Sequence, residues 1–543
     1  MLNGFVDWPA KFTARYRELG YWRSETLGQL LRTQAWATPT QVALVDGERR
    51  WTYRELDEHA DCLAAGLRAL GIERQQRILV HLPNIAEFLP LCFALFRIGA
   101  IPVLALPAHR ESEIVDLAHI SESVAYVIAD THLGFDYRTL ARSVCEKAAN
   151  LQHVVVVGDA QEFVSLTDIE ARAVEAPANE MAEPDPHEVA LLLLSGGTTG
   201  SPKLIPRTHD DYVYNVRASA AAAALDRATR YLVSLPIAHN FALGCPGALG
   251  TLYAGGTVVF CGDPSPDTAF PLIEKEKITV TALIPPLVLL WLEATEWTTE
   301  DLSSLQWLQA GGARLKAETA ARIEPVLGCR LQQVYGMAEG LLNFTGLDDP
   351  DDLVVNTQGR PLAADDEVRI VDRDDTEVNE GEIGELQVRG PYTIRGYYRA
   401  EEYNRQAFTA DGFYRTGDLV RRLPSGHFVV EGRSKDVINR GGDKVPVEEV
   451  ENHLLAHPAV RDVAMVGVPD ETLGERSCAC IIASGAAPTL AELNAYLGGL
   501  GLAAFKLPDR LVVLDHFPTT RLGKVNKQAL AEHVGSVSLE LPT

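Results

Sequence analysis

At 543 residues the chain is long enough for two or more domains with sizeable cores. Its composition, 46% hydrophobic and 23% charged, is that of a globular protein, and its formal charge of −25 argues against nucleic acid and anionic membrane surfaces, which would select a basic stripe. Eight scattered cysteines, none in a CxxC pair, argue against a disulfide framework or a zinc cluster and fit a reducing cytoplasm. No apolar run reaches ~18 residues, and the charged start MLNGFVDWPAKF lacks the core of a signal peptide.

Residues 26–37 are read as a helix, and 42–46 with 49–53 as a hairpin. Thr52 with Glu55 forms a capping-box pattern opening a helix to about Leu70, which Gly71 ends. Strands over 77–82, 101–106, 124–128 and 154–157 alternate with helices, including one over 86–98. That rhythm predicts a parallel sheet covered by helices on both faces. An acidic connector, 177–186, leads to the next element, and the alanine tract 218–224 is read as helix.

The stretch Ala190–Leu194 is apolar and strand-length, and Ser195, Gly196, Gly197, Thr198, Thr199, Gly200, Ser201, Pro202 and Lys203 follow. Three glycines in this run allow the backbone conformations of an anion-binding nest, with hydroxyls and an ammonium to complete it. A polyphosphate suits it; so does a tight hairpin turn. It is not a Walker loop, because a second strand, not a helix, follows Lys203.

Further strands are read over 232–236 and 279–284, the latter broken by Pro285-Pro286. The run Ala238-His239-Asn240-Phe241 lies just past the first, where it could line a cavity or be structural. Leu308 to Ala313 is a strand running into a glycine turn at Gly311 and Gly312, where a flat ring could approach closely. Residues 384–398 are read as β-rich, 446–455 as helix and 460–468 as strand.

SGGTTGSPK resembles the phosphate loop of the adenylate-forming superfamily, which includes acyl- and aryl-CoA synthetases, firefly-type luciferases and peptide-synthetase adenylation domains. Four more blocks resemble that family in the same order: Tyr335-Gly336-Met337-Ala338-Glu339, Tyr414 to Asp418, Gly432 to Asp436, and Pro518 to Lys527. The resemblance implies an α/β protein with a large N-terminal domain of βαβ sheets plus a β-barrel-like part over residues 1–433. A hinge at Asp436 then leads to a small, mobile α+β domain over 434–543.

It further implies that ATP binds at Ser195 to Gly200 and Lys203, with Gly312, Ala313, Val334, Tyr335 and Gly336 about the purine. Asp418 and Arg433 would hold the ribose, with Lys435 in the same site, and Glu339 would hold Mg²⁺, a hard cation suited to carboxylate and phosphate. His239, Asn240, Phe241 and Cys245 resemble the acid-binding run of aryl-acid ligases, joined by Gly311, Ala338, Leu342 and Lys444. Gly441 and Gly442 would line a tunnel for a pantetheine thiol. Lys524 would sit at the adenylation centre, with Glu339 and His239 as its catalytic companions. A flexible ammonium there offsets the repulsion of a carboxylate approaching a polyphosphate.

The reaction so implied is attack of an aryl carboxylate on the α-phosphorus of Mg·ATP, loss of pyrophosphate, and transfer of the acyl group to a phosphopantetheine thiol. The acceptor would be a carrier protein or peptide-synthetase carrier domain supplied in trans. The motifs look like stand-alone aryl-acid ligases of siderophore synthesis. Members specific for 2,3-dihydroxybenzoate resemble one another in a Ser and a Val where this chain has Cys245 and Leu342. A thiol is a weak hydrogen-bond partner and Leu is larger than Val, so both changes point to salicylate. A dihydroxybenzoate ligase, or an aryl-CoA ligase using free coenzyme A, is the alternative.

Overall fold

The structure is a computed structural model and describes residues 1–175, 183–195, 202–372, 374–433, 438–440, 443–445, 447–470, 474–500, 502, 506–520 and 524–536. Two large sheets dominate it. In the first, strands run in the order Leu204–Thr208, Val189–Leu194, Ile101–Leu104, Arg77–His81, Ala125–Ala129, His153–Val157 and Val164–Ser165. All pairs are parallel except the first, which is an antiparallel hairpin. The second has nine strands, with Trp307–Gly311, Val280–Leu283 and Arg230–Val233 at its centre. Its centre is parallel and both its edges end in antiparallel hairpins.

The central strands are buried throughout, as continuous runs of Val, Ile, Leu and Ala require in a sheet covered on both faces. Between them lies the helix Phe88–Ile98, whose residues are all buried. A helix apolar on every side belongs inside the protein. It stops at Gly99, whose φ of +69° only glycine adopts without strain.

Local signals in the sequence are realised closely. Thr26 with Gln29 and Thr52 with Glu55 form reciprocal capping boxes, each cap contributing about 1 kcal/mol. Pro285 does more than end a strand: it is the first residue of the helix Pro285–Ala294, where its missing N–H costs nothing. The helix His209–Ala222 stops short of Ala224, so the alanine tract is only partly helical. Of the connector 177–186, residues 177–182 lie outside the described residues.

The part expected to be barrel-like is an antiparallel sheet of Glu367–Val371, Gly384–Arg389, Tyr414–Arg422 and Phe428–Arg433. Only the first six residues of the expected β-rich stretch 384–398 are strand. The chain leaves the sheet at Gly390-Pro391, where proline offers no ladder donor. It then ties the sheets together: Ile394 N–H donates to Glu339 O (2.8 Å) and Tyr398 N–H to Leu204 O (2.9 Å).

The C-terminal part has its own five-stranded sheet, built on Val460–Asp470 and Gly474–Ala483. Val463 and Met465 face the helices Val447–Leu455 and Leu490–Gly499, while Ala464, Val466 and Val468 face Lys527–Ser536. This is the two-residue alternation of a strand covered on both sides.

Candidate active site

A cleft of about 2540 Å³ runs between the large sheets and the C-terminal part. Its volume exceeds that of an ordinary ligand pocket, and it joins several distinct surroundings. At one wall the strands Val189–Leu194 and Leu204–Thr208 pair with Leu194 opposite Leu204, and Ser195 N–H donates to Lys203 O (3.0 Å). Gly196, Gly197, Thr198, Thr199 and Gly200 lie outside the described residues. The Lys203 ammonium stands 4.2 Å from the centroid of the Tyr403 ring.

Opposite, the strand Trp307–Gly311 ends on Gly311 and passes through Gly312, at φ +81°, to Ala313. The neighbouring strand Arg330–Met337 carries Val334, Tyr335 and Gly336. Tyr335 Oη donates to Asp418 Oδ2 at 2.7 Å, although 83 residues separate them. Asp418 is a strand residue. It lies within the strand Tyr414–Arg422, directly after Gly417 at φ +72°, where register slips against both neighbours. Such an irregularity re-aims a strand side chain. Arg433 pairs with Asp418 across the ladder through its backbone; its side chain lies outside the described residues, as do Lys435 and Asp436.

Glu339 is buried, and its Oε1 accepts from Tyr397 Oη at 2.7 Å; Tyr397 Oη lies 2.9 Å from Tyr414 Oη. Burial raises both phenols, so they remain protonated donors. Sequence reasoning missed Tyr397; the aromatic doublet Tyr397-Tyr398 was the available signal. A buried carboxylate is a fitting donor for a hard divalent cation. Among the described residues no group of three or more His, Cys, Asp or Glu could hold a metal ion.

The run Ala238 to Phe241 presents His239, whose Nδ1 accepts from Phe241 N–H (3.2 Å) and caps the short helical turn Asn240–Gly244. That turn brings Asn240, Phe241 and Cys245 to the cleft. Asn240 Oδ1 accepts from Tyr212 Oη (2.7 Å), and its Nδ2 donates to Cys245 Sγ (3.2 Å). Burial pushes the Cys245 thiol up to about 12, so it is a neutral thiol. Gly311 is a packing requirement: a Cβ there would lie 3.0 Å from Phe241 Cζ and 2.6 Å from Val334 O. Gly336 stands opposite Leu342 in register, and a Cβ on it would lie 2.5 Å from Leu342 Cδ2. Ala338 O accepts from the buried Arg207 guanidinium (2.8 Å), which also pairs with Asp211 (2.7 Å).

Lys524 reaches the same cleft from the C-terminal part. Its backbone is held by Thr520: Thr520 N–H donates to Lys524 O (2.6 Å) and Lys524 N–H to Thr520 Oγ1 (3.2 Å). Burial, together with the charge of Lys524, lowers His239 to about 4. The C-terminal part is tied to the large sheets by Arg314, which donates to Glu448 (3.0 Å), and by the Lys316–Asp462 and Glu293–Arg461 pairs. Gly441 and Gly442 lie outside the described residues, and Lys444 is described only in its backbone, within Asp443–Val445.

Residues 31–398 match the family described as AMP-binding enzyme, and 449–524 the AMP-binding enzyme C-terminal domain. The chain is 55% identical to the 2,3-dihydroxybenzoate-AMP ligase of Bacillus subtilis, over 98% of each chain. It is 49% identical to the salicyl-AMP ligase / salicyl-S-ArCP synthetase of Mycobacterium tuberculosis, over 98% of this chain and 95% of that one. The apo structure of MbtA from Mycobacterium smegmatis superposes with a TM-score of 0.76 at 49% identity, over 97% of this chain and 98% of that one. No helix among the described residues is long and apolar enough to cross a membrane. The chain belongs to the AMP-binding enzyme family.

Proposed function

We propose that the protein is an aryl-acid–AMP ligase of siderophore biosynthesis that activates salicylate with ATP and passes the acyl group to a carrier-protein thiol. The observation that carries this reading is the convergence, in one cleft, of Lys524, the Tyr335–Asp418 pair and the pocket of Asn240, Phe241 and Cys245. ATP would lie with its purine along Gly311 to Ala313 and Tyr335, its ribose on Asp418 and its phosphates toward the Ser195–Lys203 loop. Glu339 would hold Mg²⁺, which supplies charge neutralisation at the polyphosphate.

The chain's own residues then do two things. The acid pocket orients the carboxylate toward the α-phosphorus, turning a bimolecular encounter into a positioned attack. Lys524 supplies positive charge where the attacking oxygen and the phosphorus crowd negative charge together. The carboxylate oxygen bonds to phosphorus as the bond to pyrophosphate breaks, leaving aryl-AMP. We place the domain boundary at 433/434, with Asp436 as the hinge. Rotation there would withdraw Lys524 and bring Gly441, Gly442 and Lys444 to a phosphopantetheine thiol, which displaces AMP to form the thioester.

Both dihydroxybenzoate and salicylate ligases are similar to this chain, so overall identity does not choose the acid. Cys245 and Leu342 favour salicylate: the buried thiol is a poor partner for a second ring hydroxyl, and Leu342 crowds Gly336. ATP–pyrophosphate exchange across benzoate, salicylate and 2,3-dihydroxybenzoate tests the reading. Salicylate should support the highest kcat/KM. A preference for dihydroxybenzoate of about tenfold or more, worth ~1.4 kcal/mol, would overturn it.

A further inference from the structure

Behind the acid pocket lies a buried polar cluster that the mechanism above does not use. It centres on Tyr212, which is buried and does not line the cleft. Its ring is faced by the Arg207 guanidinium at 4.8 Å, and its hydroxyl donates to Asn240 Oδ1 at 2.7 Å. Gly244 makes room for that hydroxyl, since a Cβ there would lie 2.7 Å from Tyr212 Oη. Asn215 Nδ2 donates to Gly244 O (2.7 Å) and pins the end of the same turn.

An asparagine amide has two faces of nearly equal size, one accepting and one donating. Burial keeps the Tyr212 phenol protonated and therefore a donor. Among the described residues its hydroxyl has no hydrogen-bond partner but Asn240. A flipped amide would leave that buried proton without an acceptor, a cost of about 1–3 kcal/mol. The hydroxyl therefore holds the amide with its oxygen toward Tyr212 and its NH₂ toward Cys245, a residue that lines the cleft. An ortho-hydroxyl on a benzoate donates its proton to its own carboxylate and is left presenting an oxygen lone pair. An NH₂ donor meets that oxygen; an amide oxygen would repel it.

Building on the function proposed above, we infer that Tyr212 is a positioning residue that sets selectivity for acids carrying an ortho-hydroxyl, by fixing the orientation of the Asn240 amide. The test is pyrophosphate exchange with salicylate and benzoate, using the full-length enzyme, Tyr212→Phe, Asn240→Ala and the double variant. Tyr212→Phe should lower the salicylate-to-benzoate ratio of kcat/KM by about tenfold, the loss of one well-aligned hydrogen bond, through the acid KM and with the ATP KM unchanged. In the Asn240→Ala background it should lower the ratio no further, because the two residues act as one unit. Should Tyr212→Phe fold poorly, Gly244→Ala, which crowds the hydroxyl while keeping it, should cause the same loss of selectivity. Equal losses on both acids, or an additive effect in the double variant, would overturn the inference while leaving the proposed function standing. Wild-type enzyme that does not prefer salicylate to benzoate would overturn both.

Discussion

Replacing Cys245 by Ser and Leu342 by Val together should turn the enzyme toward 2,3-dihydroxybenzoate. Leu342 is 2% exposed and stands opposite Gly336, with Cδ2 filling the space a Cβ there would claim. Valine withdraws one methylene from that spot, relief worth about 1 kcal/mol to an acid one hydroxyl larger. Serine replaces a weak thiol by a full donor and acceptor 3.2 Å from the Asn240 amide nitrogen. A new hydrogen bond to the second ring hydroxyl contributes about 1 kcal/mol. The two together make about 2 kcal/mol, or about thirtyfold in the dihydroxybenzoate-to-salicylate ratio of kcat/KM. Pyrophosphate exchange with both acids on wild type and the double variant reads this directly. A shift below about threefold, under ~0.7 kcal/mol, would refute the assignment of these two side chains to acid selection.

Lys524→Ala should cut adenylation at least about a hundredfold while thioester formation from supplied aryl-AMP survives; unchanged pyrophosphate exchange would remove Lys524 from the centre. Gly311→Ala, whose methyl would press on Phe241 and Val334 O, should raise the acid KM about tenfold with little change in the ATP KM; equal rises in both would show a general distortion instead. His239 is held down to about 4, against an ordinary value of 6.5. For such a depressed imidazole the stability of the neutral form is fully present above pH 6.5 and is lost as pH falls through 4. The pH profile of adenylation should therefore show no acid limb near 6.5, and a limb there that vanishes in His239→Asn would contradict the assignment.

Much of this architecture is legible locally. Capping boxes, buried apolar runs and glycine stops act over a few residues, so Thr52 with Glu55 or Gly71 can be read without knowing the fold. The motifs at Gly311-Gly312 and Tyr335-Gly336 also named stretches that line the cleft, though Gly311 alone reads as an ordinary turn. Its need for a bare Cα comes from Phe241, seventy residues earlier. The supporting side chains are a different matter. Tyr397 meets Glu339 across 58 residues and Tyr212 meets Asn240 across 28. Apart from the doublet Tyr397-Tyr398, nothing in the sequence around either tyrosine marks it as more than a core aromatic. Asp418 was legible as a residue and not as a conformation, because the left-handed Gly417 lets a strand present what looks like a turn sequence.

The central claim is that one cleft joins an aryl carboxylate to AMP. Mass spectrometry of the enzyme incubated with Mg·ATP and salicylate, without a thiol acceptor, tests it most directly. A retained species with the mass of salicyl-AMP, absent when Lys524 is replaced by Ala and discharged as a thioester by a phosphopantetheinylated carrier, is the predicted result. Recovery of ATP and salicylate unchanged, or of ADP and phosphate in place of AMP and pyrophosphate, would contradict the account.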